Sequence, residues 1–142
     1  MISSMFVINN CACTRLRTAA RVVSRAFDDA LRPSGINGSQ LAVLVAIDVT
    51  EATSISELSQ RLSTDRTTLS RNLKLLEKSG LVELSDEGWK RSKTVRLTSV
   101  GQVTLEHAKT LWDLAQQNFL KRVGKAEWSR VESDLSAITA LF

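Results

Sequence analysis

The chain is 142 residues long, 43% hydrophobic and 24% charged, which suits one compact folded unit and rules out both a disordered chain and several catalytic domains. Its formal net charge of +4 and pI of about 9.4 favour an anionic partner, so the placement of the basic residues matters more than their sum. The longest apolar run, Leu41 to Ile47, is far short of the ~20 residues that cross a bilayer, and Met1 to Ile8 lacks the basic start and long apolar stretch of a signal peptide. These features predict a cytoplasmic protein with no membrane partner.

The only cysteines, Cys11 and Cys13, stand too close together to staple a fold and lack the further Cys or His that a zinc site requires. They fall at the start of the first amphipathic stretch. There Leu16, Ala19, Ala20, Val23, Phe27, Ala30 and Leu31 recur at steps of three and four, with Arg15, Arg17, Arg21 and Arg25 between them. Pro33 and Gly35 end this helix. Two residues apart on a helix, the thiols would point about 200° from each other, so a disulfide between them requires the helix to fray. Arg15, Arg17 and a helix N-terminus are the features that would lower a thiol pKa.

A second helix is expected from near Ser39 through LAVLVAI, and its continuous apolar surface predicts burial on most sides. "TSISELSQRLS" has a cap residue at Thr53 or Ser54 and apolar Ile55, Leu58 and Leu62 at helical spacing, the pattern of a short third helix. Leu69, Leu73 and Leu76 then place a fourth helix over about Asp65 to Ser79, with Gly80 suited to the left-handed position after its end. Two helices joined by a tight turn form a helix-turn-helix.

"LVELS" and "KTVRLT" flank the turn-like "DEGWKR", and both alternate apolar with polar residues, as a two-stranded hairpin would. From the cap candidate Thr98, a long helix carries Ala108, Leu111, Trp112, Ala115 and Phe119 on one stripe. Past Gly124 a last helix carries Trp128, Val131, Leu135, Ile138 and Phe142. These aromatic and aliphatic stripes are read mainly as packing faces, with one or two members free to line a ligand cavity. There is no internal repeat and no low-complexity linker.

With about 100° of turn per residue, a helix that buries Leu69, Leu73 and Leu76 projects Thr67, Thr68 and Arg71 away from the core near its start. That is a composition suited to DNA: helix N-termini attract phosphate, Thr meets backbone or a thymine methyl, and Arg bonds guanine through two atoms. Thr64, Arg66, Asn72 and Lys74 extend the patch. The hairpin adds Lys90, Arg91, Lys93 and Arg96, placed to reach a minor groove or phosphate row. The alternative is that these residues form only the solvated face of a packed helix.

"DRTTLSRNLKLLEKSGLVE" followed by "RSKTVRLTSVG" resembles the recognition helix, wing and Leu-Thr-x-x-Gly lead-in to the next helix of the MarR family of bacterial transcription regulators. The resemblance extends over nearly the whole chain, since the first helix and the two C-terminal helices correspond to the family's dimerisation region. It implies a mainly α fold with a small β-hairpin wing, an α+β winged helix-turn-helix. In this single MarR-like domain, residues of about 10–35 and 102–142 supply dimerisation helices and about 36–101 the DNA-binding region. It further implies a homodimer on a pseudo-palindromic operator of double-stranded DNA, repressing nearby genes and released by a small-molecule effector. Two recognition helices on a twofold axis should meet major grooves about 10 base pairs apart.

The wing departs from the family pattern, which commonly carries Asp-x-Arg or Asp-Arg-Arg near its tip. Here Trp89 and Lys90 stand where the Asp and first Arg usually do, while Arg91 is retained, with Asp86 or Glu87 left to orient it. Trp89 is read as packing on the hairpin, with insertion into DNA as the alternative.

Nothing supports an enzyme: the single histidine, His107, has no visible catalytic partner, and phosphate-loop, HExxH and GxSxG motifs are absent. No cofactor is expected. The competing readings are a winged-helix module for a protein partner, a thiol-based redox-responsive regulator using Cys11 and Cys13, and a non-specific architectural DNA binder. A DNA complex would weaken steeply with salt, whereas a protein interface with an apolar centre would not. An architectural binder would share the salt response without preferring an operator.

Overall fold

A computed structural model of the chain describes residues 1–51, 53–85 and 94–142. The elements run α1 (Ser4–Asn10), α2 (Ala12–Leu31), a short 3-10 turn (Arg32–Ser34), α3 (Gly38–Thr50), β1 (Thr53–Ser54), α4 (Ile55–Arg61), α5 (Arg66–Lys78), β2 (Val82–Ser85), β3 (Thr94–Leu97), α6 (Ser99–Val123) and α7 (Lys125–Thr139). The expected α+β class holds, with the helix-turn-helix in α4 and α5 and the wing strands in β2 and β3.

Each helix of the central region begins where a side chain can take up unpaired backbone N–H groups. Asn37 and Gln40 cap α3 reciprocally: Asn37 Oδ1 accepts from the Gln40 N–H at 2.9 Å and Gln40 Oε1 from the Asn37 N–H at 3.0 Å. Ser54 and Glu57 do the same for α4, which selects Ser54 over Thr53 as its cap. Thr53 instead sends its hydroxyl proton to Glu57 Oε2 at 2.8 Å. Glu57 is held below the usual carboxylate range, first by the Ser54 N–H and then by the Thr53 hydroxyl.

The structure adds two elements that the sequence pattern did not supply. Residues Ser4–Asn10 form a helix of their own, closed by a non-helical Cys11 with ψ 110°. The wing is also three-stranded, in the order β1-β3-β2, because Thr53 pairs with Val95 on the edge of β3 opposite β2. A strand of two residues is too short to display alternation, so only the pairing reveals it. Glu83 faces Arg96 and Leu84 faces Val95 in the β2–β3 ladder.

The core gathers Leu31, Leu44, Ile47, Leu58, Leu69, Leu73, Leu76, Val82, Val95 and Leu105, each at most 2% exposed. Helix α3 is buried less completely than its apolar run suggested: Leu44 and Ile47 are enclosed, while Ala42, Val45 and Val49 lie open. The terminal helices are the most exposed. No residue of α7 is buried in the single chain, and Met5, Phe6, Val22, Val131 and Ile138 stand in solvent.

Where α5 ends, Gly80 adopts φ 72° and the Leu81 N–H returns to the Leu76 carbonyl at 2.9 Å, closing the helix with the left-handed residue expected there. The chain comes back to this corner at the start of α6. Thr98 donates its hydroxyl proton to the Gly80 carbonyl and accepts the Gly101 N–H at 2.9 Å. Gly101 lies so close to the Leu81 backbone that an added Cβ would overlap its carbonyl oxygen. The Leu-Thr-x-x-Gly pattern thus has a steric cause. Gly101→Ala should destabilise the chain by about 1–3 kcal/mol or more, because the obstacle is backbone rather than a flexible side chain; urea denaturation measures this, and an unchanged midpoint would show that α6 shifts freely.

Candidate nucleic-acid interface

Helix α5 packs Leu69, Leu73 and Leu76 into the core, and the helical period then sends Thr67, Thr68, Arg71 and Lys74 to the outside; these four and Arg66, at the first position of the helix, are all exposed. The turn that delivers α5 is tight. Its Ser63 takes the left-handed φ of 48°, and the Thr64 N–H is taken up by the Ser59 carbonyl at 3.1 Å, leaving Thr64 half-buried.

Asp65 organises the first turn of α5. Its Oδ1 accepts the Thr68 N–H at 2.8 Å and its Oδ2 accepts the Thr68 hydroxyl proton at 2.6 Å. These bonds, the hydroxyl first and the N–H second, lower the Asp65 pKa. Thr68 is therefore oriented, with its proton committed and its methyl and remaining lone pair available. The leucine period alone puts the helix start near Asp65 and is silent on capping, which a separate local signal carries: an acid just before an apolar period.

Asn72 differs from its neighbours. It is half-buried, and its Nδ2 donates to Ser39 Oγ on α3 at 3.1 Å. Ser39 carries no local sequence signal, since the contact joins residues far apart in the chain. Of the wing candidates, Lys90, Arg91 and Lys93, together with Trp89, Asp86 and Glu87, lie outside the described residues. Arg96 is exposed on β3, opposite Glu83.

Behind this surface, between α2, α3 and α6, lies a cavity of about 750 Å3. Val23, Phe27, Val45 and Trp112 make its wall largely apolar, and Asp28 and Lys109 add charge. The Lys109 ammonium donates to Glu106 Oε1 at 2.9 Å and Asp48 Oδ2 at 3.2 Å; Glu106 is the main cause of its raised pKa, with Asp48 adding to it. On the last two helices, Phe119 stacks edge-on against both Phe27 and Trp128, with ring centroids at 6.2 and 5.0 Å. The aromatic stripe thus divides between packing, at Phe119, and the cavity wall, at Trp112, which remains 42% exposed.

Cys11 and Cys13 sit at the exposed junction of α1 and α2, and Cys11 is the non-helical residue before α2 rather than a member of it. Its thiol pKa is lowered chiefly by the Thr14 hydroxyl and then the Thr14 N–H, with a smaller effect from Arg17. These donors stand nearby without forming a side-chain cap bond. Arg15 is occupied elsewhere, donating to the Asn9 carbonyl. Among the described residues, no three His, Cys, Asp or Glu side chains converge in a way that could hold a metal ion, and no helix is long and apolar enough to cross a membrane.

An exposed polar helix following a tight turn, backed by a small sheet and flanked by long terminal helices, defines a winged helix-turn-helix protein. A family model described as the MarR family matches residues 34–92. The transcriptional regulator MosR of M. tuberculosis, solved in complex with DNA, is 37% identical over 91% of this chain and 93% of its own, with a TM-score of 0.82. A mutant of MarR from E. coli, solved with operator DNA, is 25% identical over 96% of this chain and 99% of its own, with a TM-score of 0.85. The transcriptional regulator PapX of E. coli is 34% identical over 103 residues, a match that takes in 70% of this chain and 58% of PapX. The chain belongs to the MarR family of transcription regulators.

The lowered Asp65 pKa carries a definite sign. Its stabilising contribution is present above the unfolded Asp pKa of about 3.9 and is lost as pH falls through the lower folded value. Asp65→Asn retains a capping oxygen without the charge. Wild type should therefore melt higher than this variant at pH 7, and the difference should shrink as pH drops below about 4; thermal melts across that range test it, and a constant difference would remove the charge from the account.

Proposed function

We propose that the chain is a cytoplasmic, homodimeric, sequence-specific DNA-binding regulator, a repressor of nearby genes that a small-molecule effector releases from its operator. The observation that carries this is the placement of Thr67, Thr68 and Arg71 on the solvent side of α5, away from its buried leucines, with the exposed Arg66 at the helix start. Arg71 and Thr67 read base edges, and Thr68, its proton held by Asp65, offers its methyl to thymine. Arg66 and Lys74 hold phosphate, joined by the wing residues Lys90, Arg91 and Lys93, while Thr64 and Asn72 stand at the edge of the patch.

The exposed apolar residues of α1, α2 and α7 support dimerisation: Phe6 and Val22 are more than half exposed in the single chain, and Leu135 and Ile138 about two-fifths. A twofold dimer supplies the symmetry that a pseudo-palindromic operator requires. The cavity between α2, α3 and α6 lies between the dimerisation helices and the DNA-binding region, and its apolar wall suits a compact organic effector.

Selection of bound duplexes from a random pool at two salt concentrations tests the reading. An inverted repeat with half-sites about 10 base pairs apart is expected, with binding that weakens steeply as salt rises. Arg71→Ala should cost about 1–3 kcal/mol and relax preference at one position per half-site, whereas Lys93→Ala should weaken all sequences alike and lower the salt slope by about 1. Absence of any enriched repeat, with negligible binding at low salt, would favour a protein partner for α5.

A second reading, thiol-based regulation, is favoured by the lowered pKa of Cys11 and its position outside the helix, which removes the opposed geometry expected of two helical cysteines. A peroxide would oxidise the Cys11 thiolate to sulfenic acid with loss of the reduced oxygen as water or alcohol, and Cys13 would displace water to form the disulfide. Mass spectrometry after one equivalent of hydrogen peroxide should show a loss of two hydrogens that Cys13→Ser abolishes. DNA affinity that is unaltered by this oxidation would separate the chemistry from regulation.

A further inference from the structure

The bond between Asn72 and Ser39 joins the DNA-reading helix to the rim of the cavity. Ser39 and its neighbour Gly38 both line that cavity. The Gly38 N–H donates to Asp28 Oδ1 on α2 at 2.8 Å, and one residue further on, Ser39 Oγ accepts the Asn72 amide of α5 at 3.1 Å. The reciprocal cap between Asn37 and Gln40 makes this first turn of α3 a stiff unit. A chain of polar contacts thus runs from α2 through the first turn of α3, which lines the cavity, to Asn72 on the flank of α5 next to Arg71.

We propose that Ser39 and Asn72 are positioning residues that couple occupation of the cavity to the aim of α5. The inference rests on the proposed reading of α5 as the DNA-binding helix and of the cavity as the effector site. An occupant wedged between α2 and α3 loads the Gly38–Asp28 contact at the mouth, and the first turn of α3 moves as a body. Ser39 carries that movement to Asn72, which shares a helix turn with Thr68 and Arg71. A two-site device of this kind requires differential contacts in its two states, and a single hydrogen bond of ordinary strength changes an equilibrium by roughly two- to tenfold. That is within the range of measured coupling between sites.

The test fills the cavity with a side chain instead of an unidentified ligand. Ala42 and Val45 lie on its α3 wall, so Ala42→Phe and, independently, Val45→Trp serve as built-in occupants. Affinity for a selected duplex is measured by fluorescence anisotropy for each filler with Ser39 intact, with Ser39→Ala, and with Ser39→Thr, which keeps the hydroxyl. The filler should weaken binding roughly fivefold or more with Ser39 or Thr at this position, and less than about twofold with Ala. Equal weakening in all three backgrounds would overturn the coupling, because a purely structural role for Ser39 shifts melting temperature and affinity without changing the effect of the filler. Fillers with no effect in any background would overturn it from the side of the cavity. Failure of the unaltered protein to bind duplex would instead remove the DNA-binding reading on which both stand.

Discussion

One face of one helix sets the terms for the rest of the molecule. Leu69, Leu73 and Leu76 anchor α5 in the core with almost no exposure, and a helix held on that side leaves no choice about which residues it presents to solvent. The tight turn at Ser63 fixes where α5 begins, Asp65 sets the orientation of its first turn, and Gly80 fixes where it stops. A shift of one residue in the leucine pattern would rotate Arg71 by about 100° and take it off the outer face. The exposed polar set and the hydrophobic packing are therefore two consequences of a single periodicity.

The corner formed by Gly80, Leu81, Thr98 and Gly101 performs a comparable service for the chain as a whole. It is where the end of the helix-turn-helix meets the long helix α6 that leads to α7. Thr98 satisfies a carbonyl of one segment and an amide of the other, and the missing side chain of Gly101 lets the backbones approach closely. Movement of α6 relative to the Gly80–Leu81 backbone would have to break one of those two bonds or open that close approach.

The elements legible in the sequence are those whose cause is local. Period, caps and stop residues identified α2 through α6 because Leu spacing, Ser54, Thr98 and Gly80 act within a few residues of themselves. The outward set on α5 was legible for the same reason. What escaped depended on distant partners. The strand Thr53–Ser54 exists only because β3 offers it an edge, and Asn72 faces Ser39 across 33 positions of sequence separation. The continuous apolar run of α3 suggested full enclosure, yet Ala42 and Val45 line the cavity; hydrophobicity records a preference for leaving water and not whether a neighbour arrives to cover each residue.

Helix α7 contributes no buried residue to the single chain, and Leu135 and Ile138 on its apolar side remain about two-fifths exposed. Trp128 ties the helix to α6 within the chain, and in the proposed dimer a partner would cover the rest of its apolar side, so part of its stability would follow mass action. Dilution would then loosen the C-terminal segment before the leucine core gives way, so the concentration of the chain would set how firmly its last helix is held.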